Sequence, residues 1–428
     1  MKLAGVLQQA GALMLGNATS QFVMVGAIPL LTRLYDAADF GASAVFTALM
    51  GVLAVVATGR YEFAVILPEQ REEAKSVALV GIAIAAGMSL LLALLCALAI
   101  VLLPFWLADL GLLPSIMLLP LSVFFAAVFA VVQVWNNRLS AYRDMARNQV
   151  LQALLVVTFS LLCGLLEISD GLIIGISLGW ALAAGWAVYA AQRSSGLFGR
   201  PQRAHFKAMA RRYRTHATSI APSQLLGVIA VQLPVLLLSS AYSASLAGYY
   251  SVAYRVANLP TVLMANALGE VYRQRISEGW YQEGAFSRLF LRLLLFFSLF
   301  GVPVFVGLYW ISPWLFPLVL GPEWIDAVPI AKVLLLGAYS NFVFTPLDKG
   351  AMVVGATRYM VCWQLLRFVI FVMICVWAWL GAPSFMYLLW SLVASGIALN
   401  LISGFYEYRL SLGRPGQTVP LQPSGTGQ

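Results

Sequence analysis

The chain has 428 residues, 61% of them hydrophobic and 10% charged, with a mean hydropathy of +0.87 and a formal charge of +9. Soluble domains carry closer to a quarter charged residues, so a self-contained water-soluble globule is excluded. Four cysteines and two histidines are too few for a disulfide scaffold or a zinc enzyme. A basic balance without a soluble module gives no nucleic-acid groove.

A bilayer core of about 30 Å needs roughly 20 apolar residues per helix. Twelve apolar stretches meet that need, running approximately Ala10 to Leu31, Ala42 to Ile66, Ser76 to Leu102, Ile116 to Trp135, Val150 to Leu166, Leu172 to Ala191, His216 to Ser239, Leu246 to Gly269, Phe290 to Trp310, Ala327 to Phe344, Met360 to Leu380 and Phe385 to Tyr406. Lys2 before the first stretch is a signal-peptide feature, but the length of that stretch and its polar interruptions at Gln8-Gln9 and Asn17 to Gln21 predict a retained helix. Short cytoplasmic loops collect Lys and Arg. With the N-terminus inside, twenty of the twenty-six Lys and Arg fall on inner segments and Arg33 alone on an outer loop. The pattern predicts twelve helices with both termini cytoplasmic.

The longest connection, Gln192 to Arg214, holds seven Lys or Arg and no acid. In it Phe206, Met209, Ala210 and Tyr213 follow i, i+3, i+4, i+7 spacing, with Arg203, Lys207, Arg211 and Arg214 on another side. This predicts an amphipathic helix on the inner leaflet, with anionic lipid as partner. It divides the chain into a first lobe (1–191), a basic linker (192–215), a second lobe (216–410) and a tail (411–428) whose Gly, Pro, Gln and Ser predict disorder. A weak internal repeat accompanies the division. Asn17 to Gln21, Pro29 and a turn before Gly41 are echoed by Ser219 to Gln224, Pro234 and a turn before Gly248. The expected fold is an all-α polytopic membrane protein, two six-helix lobes related by a parallel repeat around a central cavity.

Five basic residues lie outside the loops: Arg60, Arg255, Arg292, Lys332 and Arg367. A cation near the bilayer centre costs about 2.5–3.5 kcal/mol on insertion scales, so each needs a partner, an aqueous cavity or an escape. Arg292 snorkels to the inner interface. Arg255 falls near the midplane of the eighth span, in a stripe with Val262, Asn266 and Arg273 and with Glu270 about 60° away. Pro260 predicts a kink in that helix. Gln364 and Arg367 share a face of the eleventh span, and Lys332 and Tyr339 one of the tenth. Arg60 and Glu62, two residues apart in a continuous helix, would face opposite ways. Interhelical ion pairs would account for any one of these cations. Together, four against the single acid Glu62, they ask for an anionic guest. Tyr249, Tyr250 and Tyr254 beside Arg255 suit either sugar stacking or packing, and Asn17, Ser20 and Gln21 either line the cavity or join helices. No phosphate-binding loop is present. Cys96, Cys163, Cys362 and Cys375 lie in apolar helix without metal spacing, and His205 and His216 flank the linker.

Several strings resemble the polysaccharide transporter family of bacterial oligosaccharide flippases. Gly59-Arg60-Tyr61-Glu62 leads through an apolar run to Pro68 and the acidic turn Glu69 to Ala74. Gly248 to Arg255 followed by Leu259-Pro260 is similar to the family's eighth helix. Gly321-Pro-Glu-Trp324 with Asp326-Ala327 resembles the entry to its tenth, and Leu34-Tyr35 to Phe40-Gly41 the turn after its first. The resemblance runs from about Asn17 to Tyr408. It implies a V of two lobes that alternates between inward and outward openings. The implied cargo is an oligosaccharide on polyprenyl diphosphate, moved to the outer leaflet of the bacterial inner membrane for O-antigen or exopolysaccharide synthesis. The diphosphate would be the anionic guest and Arg60, Arg255, Lys332 and Arg367 the cationic cavity, with Arg60 and Arg255 the two that the resemblance supports. Glu62, Asn17, Gln21, Tyr254, Asn266, Glu270, Arg273 and Gln364 are the candidate lining or coupling residues. No cofactor or enzymatic activity is expected; coupling to an H+ or Na+ gradient is left open, and a polymerase and other assembly proteins are candidate partners. The alternatives are a multidrug cation antiporter of the same superfamily, which would place carboxylates in the lobes, an integral-membrane glycan polymerase or ligase, which would need larger outer loops, and a non-transporting scaffold.

Overall fold

The computed structural model describes residues 3–109, 112–113, 115–197, 203–213 and 221–413. The residues beyond 413 of the expected tail, the linker residues 198–202 and 214–215, and residues 216–220 at the start of the expected second lobe lie outside these. Among the described residues there are twelve long helices and no strand. They are α1 Leu3–Gly26, α2 Ala37–Ala57, α3 Arg71–Leu102, α4 Leu119–Arg138, α5 Tyr142–Leu165, α6 Gly171–Ser195, α7 Ala221–Ala241, α8 Ala244–Glu283, α9 Ser287–Leu320, α10 Ala327–Phe344, α11 Thr357–Gly381 and α12 Phe385–Ser411. Eleven are long and apolar enough to cross a membrane. The exception, α8, has 40 residues; Arg255, Asn258 and three tyrosines dilute its hydropathy where it passes between the lobes. It runs past Gly269, the expected end of the eighth span, to Glu283, and α9 continues past Trp310 through Pro313 and Pro317 to Leu320.

The second span differs from expectation in a way that matters. The sequence predicts unbroken helix from Ala42 to Ile66, but α2 stops at Ala57 and Gly59 and Arg60 both adopt left-handed backbone (φ 56° and 59°). A one-turn helix, Tyr61–Ala64, follows. The amphipathic linker helix, Arg203–Arg212, also departs from expectation. Its apolar side does not lie on lipid: Phe206, Met209, Ala210 and Tyr213 pack into a cluster with Tyr61 and Val65 of the first lobe and with Leu197. The Tyr61 hydroxyl donates to the Ala210 carbonyl at 2.6 Å, and Arg212 pairs with Glu73 at 3.7 Å. An apolar stripe next to an unfilled protein surface packs there before it seeks lipid.

The two halves meet mainly through α2 and α8, with α7 against α2 and α1 against α8. Both α2 and α8 start at an N-cap in extended backbone. Asp36 accepts from the Asp39 N–H at 2.9 Å, and Ser243 from the Leu246 N–H at 3.2 Å. Four residues after each helix starts comes a glycine, and the two glycines touch the opposite helix reciprocally. A Cβ on Gly41 would lie 1.8 Å from the Ala244 carbonyl oxygen, and one on Gly248 1.8 Å from that of Ala37. The faint repeat in the sequence is thus realised as a two-fold-like contact between backbones, which only glycine permits. Trp324 caps it. Its ring meets Phe40 and Tyr249 edge-on at 5.2 and 5.5 Å, and its indole N–H donates to the Thr32 carbonyl at 3.3 Å.

Gly41→Val and Gly248→Val should each force this seam apart while leaving the lobes folded. A cysteine placed at Thr47, which lines the cavity described below, should then label severalfold faster with an impermeant thiol reagent applied from the seam side. Unchanged labelling would show that the seam does not close the cavity.

Candidate functional site

Two chambers meet at the middle of α8. The first, of about 390 Å³, lies between the lobes. Ser20, Gln21 and Met24 of α1, Ser43 and Thr47 of α2, Gln152 and Ser160 of α5, and Trp180 of α6 face Tyr254, Arg255, Asn258 and Val262 of α8. No Asp or Glu is among its described lining residues, and among the described residues no carboxylate lies within 4.0 Å of Arg255. A half-buried guanidinium in a neutral, partly apolar chamber is short of counter-charge, and the first anion to enter gains the full interaction.

The second chamber, of about 380 Å³, lies inside the second lobe and is lined by Tyr254, Asn258, Asn341, Asp348, Trp363, Arg367, Phe371, Asn400 and Glu407 among others. A chain of amides holds its helices in register. Asn400 donates to the Asn341 side-chain oxygen at 2.9 Å and to the Ser340 hydroxyl at 3.1 Å, and Asn341 to that of Asn258 at 3.4 Å. Arg367 lies over the Phe371 ring at 5.9 Å. Tyr254 and Asn258 belong to both chambers. Tyr254, 39% exposed and stacked on the buried Tyr250 at 5.8 Å, presents an aromatic face between the two cations.

Of the residues expected at a site, Arg255, Tyr254, Gln21 and Arg367 line these chambers. Six others are elsewhere. Arg60 and Glu62 are not on opposite faces, because the left-handed turn at Gly59 and Arg60 folds the chain back and joins them in an ion pair of 3.0 Å. Glu62 is 4% exposed and also accepts from the Thr58 hydroxyl; the Arg60 guanidinium lies over the Phe63 ring. Arg60 is therefore neutralised next to the linker helix and faces neither chamber. Lys332 lies over the Tyr309 ring at 5.2 Å, on the side of α10 that meets α9. Gln364 is exposed near Gly227 of α7, since the chamber face of α11 is Trp363, Arg367 and Phe371. Asn17 accepts through its carbonyl from Ser20 without lining the first chamber, and Arg273 is exposed further along α8. The side chains of Asn266 and Glu270 lie outside the described residues. Tyr249 and Tyr250 are packing residues, against Trp324 and within the core.

Two acids in the second chamber were not expected. Asp348 follows Phe344, and Glu407 follows Tyr406, the last residues of the tenth and twelfth spans as bounded from sequence. Bounding spans by charge places such acids outside the membrane by construction. The described lining of the first chamber has Arg255 and no acid, whereas the second has Asp348 and Glu407 beside Arg367. Among the described residues no cluster of His, Cys, Asp and Glu could hold a metal ion.

A family model described as "Polysaccharide biosynthesis protein" matches residues 30–329. The chain belongs to this family. It is also similar to the teichuronic acid biosynthesis protein TuaB of Bacillus subtilis (strain 168), at 23% identity over 124 residues, a match spanning 29% of this chain and 26% of that relative. Among solved structures it resembles the lipid II flippase MurJ in an inward closed conformation, with a TM-score of 0.66 at 14% identity, covering 95% of this chain and 90% of that one. An inward-facing multidrug resistance MATE family transporter of the MOP superfamily matches with a TM-score of 0.52 at 14% identity, covering 93% and 94%. At such identities the likeness is one of fold. The chain is thus a multi-pass membrane protein with the helical fold also seen in MurJ and in a MATE family transporter.

Because Arg60 serves Glu62, Arg60→Ala should destabilise the protein by about 3 kcal/mol, the usual cost of orphaning a buried charge. The double variant Arg60→Ala/Glu62→Gln should recover most of that. Thermal unfolding in detergent reads both; loss of transport at unchanged stability would instead return Arg60 to the substrate path.

Proposed function

We propose that the chain moves an oligosaccharide linked to polyprenyl diphosphate from the cytoplasmic to the outer leaflet of the bacterial inner membrane by alternating access. Arg255 carries this reading. It is a cation held near mid-membrane on a helix shared by both lobes, in a chamber whose described lining offers hydroxyls, amides and aromatic rings but no acid. A diphosphate supplies the missing charge, Gln21, Gln152 and Asn258 supply hydrogen bonds for sugar hydroxyls, and Tyr254 and Trp180 supply stacking faces. The seam at Gly41 and Gly248 would be the outer gate, closed here, as the bias of Lys and Arg toward the opposite loops orients the chain. The family's association with polysaccharide biosynthesis and the flippase-like fold support the same cargo class.

Arg255→Ala should reduce transport about 10- to 100-fold, the range set by about 1.5–3 kcal/mol for hydrogen bonds to a charged group. The protein should stay folded, and Arg255→Lys should restore part of the activity by keeping the charge without the fork. The measurement is the leaflet distribution of the lipid-linked glycan in cells lacking the native protein and carrying each variant. Accumulation on the inner leaflet is expected with the Ala variant. Full activity there would remove Arg255 from the mechanism, and accumulation of unpolymerised units outside would sink the flippase reading in favour of a polymerase.

A further inference from the structure

The second chamber has a lining of a different kind from the first. Asn400 donates both hydrogens of its amide, to Asn341 and Ser340, and its side-chain oxygen is left with no donor among the described residues. Trp363 is half-buried and its indole N–H has no acceptor among them, although a buried indole usually finds one. Arg367, also half-buried, has no carboxylate within 4.0 Å among the described residues. Asp348 adds a carboxyl group to the same lining. The chamber thus offers a guest donors and acceptors together.

A mixed set of this kind selects. A phosphate only accepts and is repelled by the carboxyl groups of Asp348 and Glu407, and an ammonium only donates and is repelled by Arg367. A sugar hydroxyl donates and accepts at once, and a pyranose ring also presents an apolar C–H face that lies against aromatic rings. Here that face meets a braced wall, since Trp363 stacks on Tyr359 at 5.9 Å and Tyr359 on Tyr406 at 3.8 Å. The volume of about 380 Å³ is that of a small-molecule site. Tyr254, Asn258 and Val262 line both chambers, so the two adjoin along one stretch of α8 beside Arg255.

We propose that the second chamber is the glycan subsite: the diphosphate of the cargo stays at Arg255 in the first chamber, the sugar next to it lies at Tyr254 and Asn258, and the sugars beyond enter the second lobe and bind at Trp363, Asn400 and Arg367. The proposal rests on the flippase reading for the nature of the cargo and adds where its two chemically different parts go. The chamber without an acid takes the anion, and the one with two acids takes the neutral polyol. Arg367 then serves sugar oxygens and not phosphate.

Gly396 allows a test that removes no contact. It lines the second chamber, and a Cβ there would meet nothing within 4 Å, so Gly396→Leu fills space while favouring the helix. The full chain in detergent is titrated with two probes, the lipid-linked glycan extracted from cells lacking the native protein and the same polyprenyl diphosphate without sugar. The wild type is expected to bind the glycan-bearing probe at least about tenfold more tightly, the weight of one or two hydrogen bonds. Gly396→Leu should erase that advantage and leave the bare diphosphate unchanged. Trp363→Phe, which keeps a ring and drops the N–H, should weaken the glycan-bearing probe alone, by about fivefold. Arg255→Ala should weaken both probes. A wild type without the advantage, an advantage that survives in both second-lobe variants, or equal loss of both probes in those variants overturns the subsite and leaves the flippase reading standing. Glycan binding that depends on Trp363 but is indifferent to Arg255 overturns the diphosphate reading and leaves the subsite in place.

Discussion

Inside a bilayer a charged side chain must find an opposite charge, a wet cavity or the interface, and much of this architecture is the set of answers to that demand. Arg60 found a carboxylate, at the cost of two left-handed residues that end α2 early. Arg292 is exposed on α9. Arg255 and Arg367 found cavities, one without an acid and one with two.

The second organising element is the backbone contact between α2 and α8. Because Gly41 and Gly248 bring each helix onto the other's first carbonyl, the lobes meet at one end by direct backbone contact. Side chains of both halves, Phe40 and Leu237 among them, pack in one cluster around it. Trp324, from the turn between α9 and α10, adds aromatic cover that also belongs to both halves.

Much of this was legible in the residues. Hydropathy and the one-sided distribution of Lys and Arg give the twelve helices, and the intramembrane position of Arg255 marks the central chamber. What stayed hidden depended on short-range geometry. The Gly59-Arg60 turn reverses the facing of Glu62, which helical periodicity cannot anticipate. Asp348 and Glu407 sit just past apolar runs whose limits were drawn by charge, so their burial was invisible to the criterion that defined the spans. Gln364 shares a helix face with Arg367 by spacing yet lies near α7, and Lys332 shares its face with Tyr339, which α9 claims. The apolar side of the linker helix carries the same pattern whether it meets lipid or protein, and only the packing of Tyr61 and Leu197 decides between them.

The length of α8 has a mechanical consequence. At about 1.5 Å per residue, Arg255 stands about 10 Å from Gly248, while the far end of the helix at Glu283 stands about 52 Å away. If the seam is the fulcrum, a tilt of this helix by a few degrees shifts Arg255 by less than an ångström and sweeps its far end through several. Arg255 would then stay nearly still while the opening around it widens, as a pivot does in a pair of tongs.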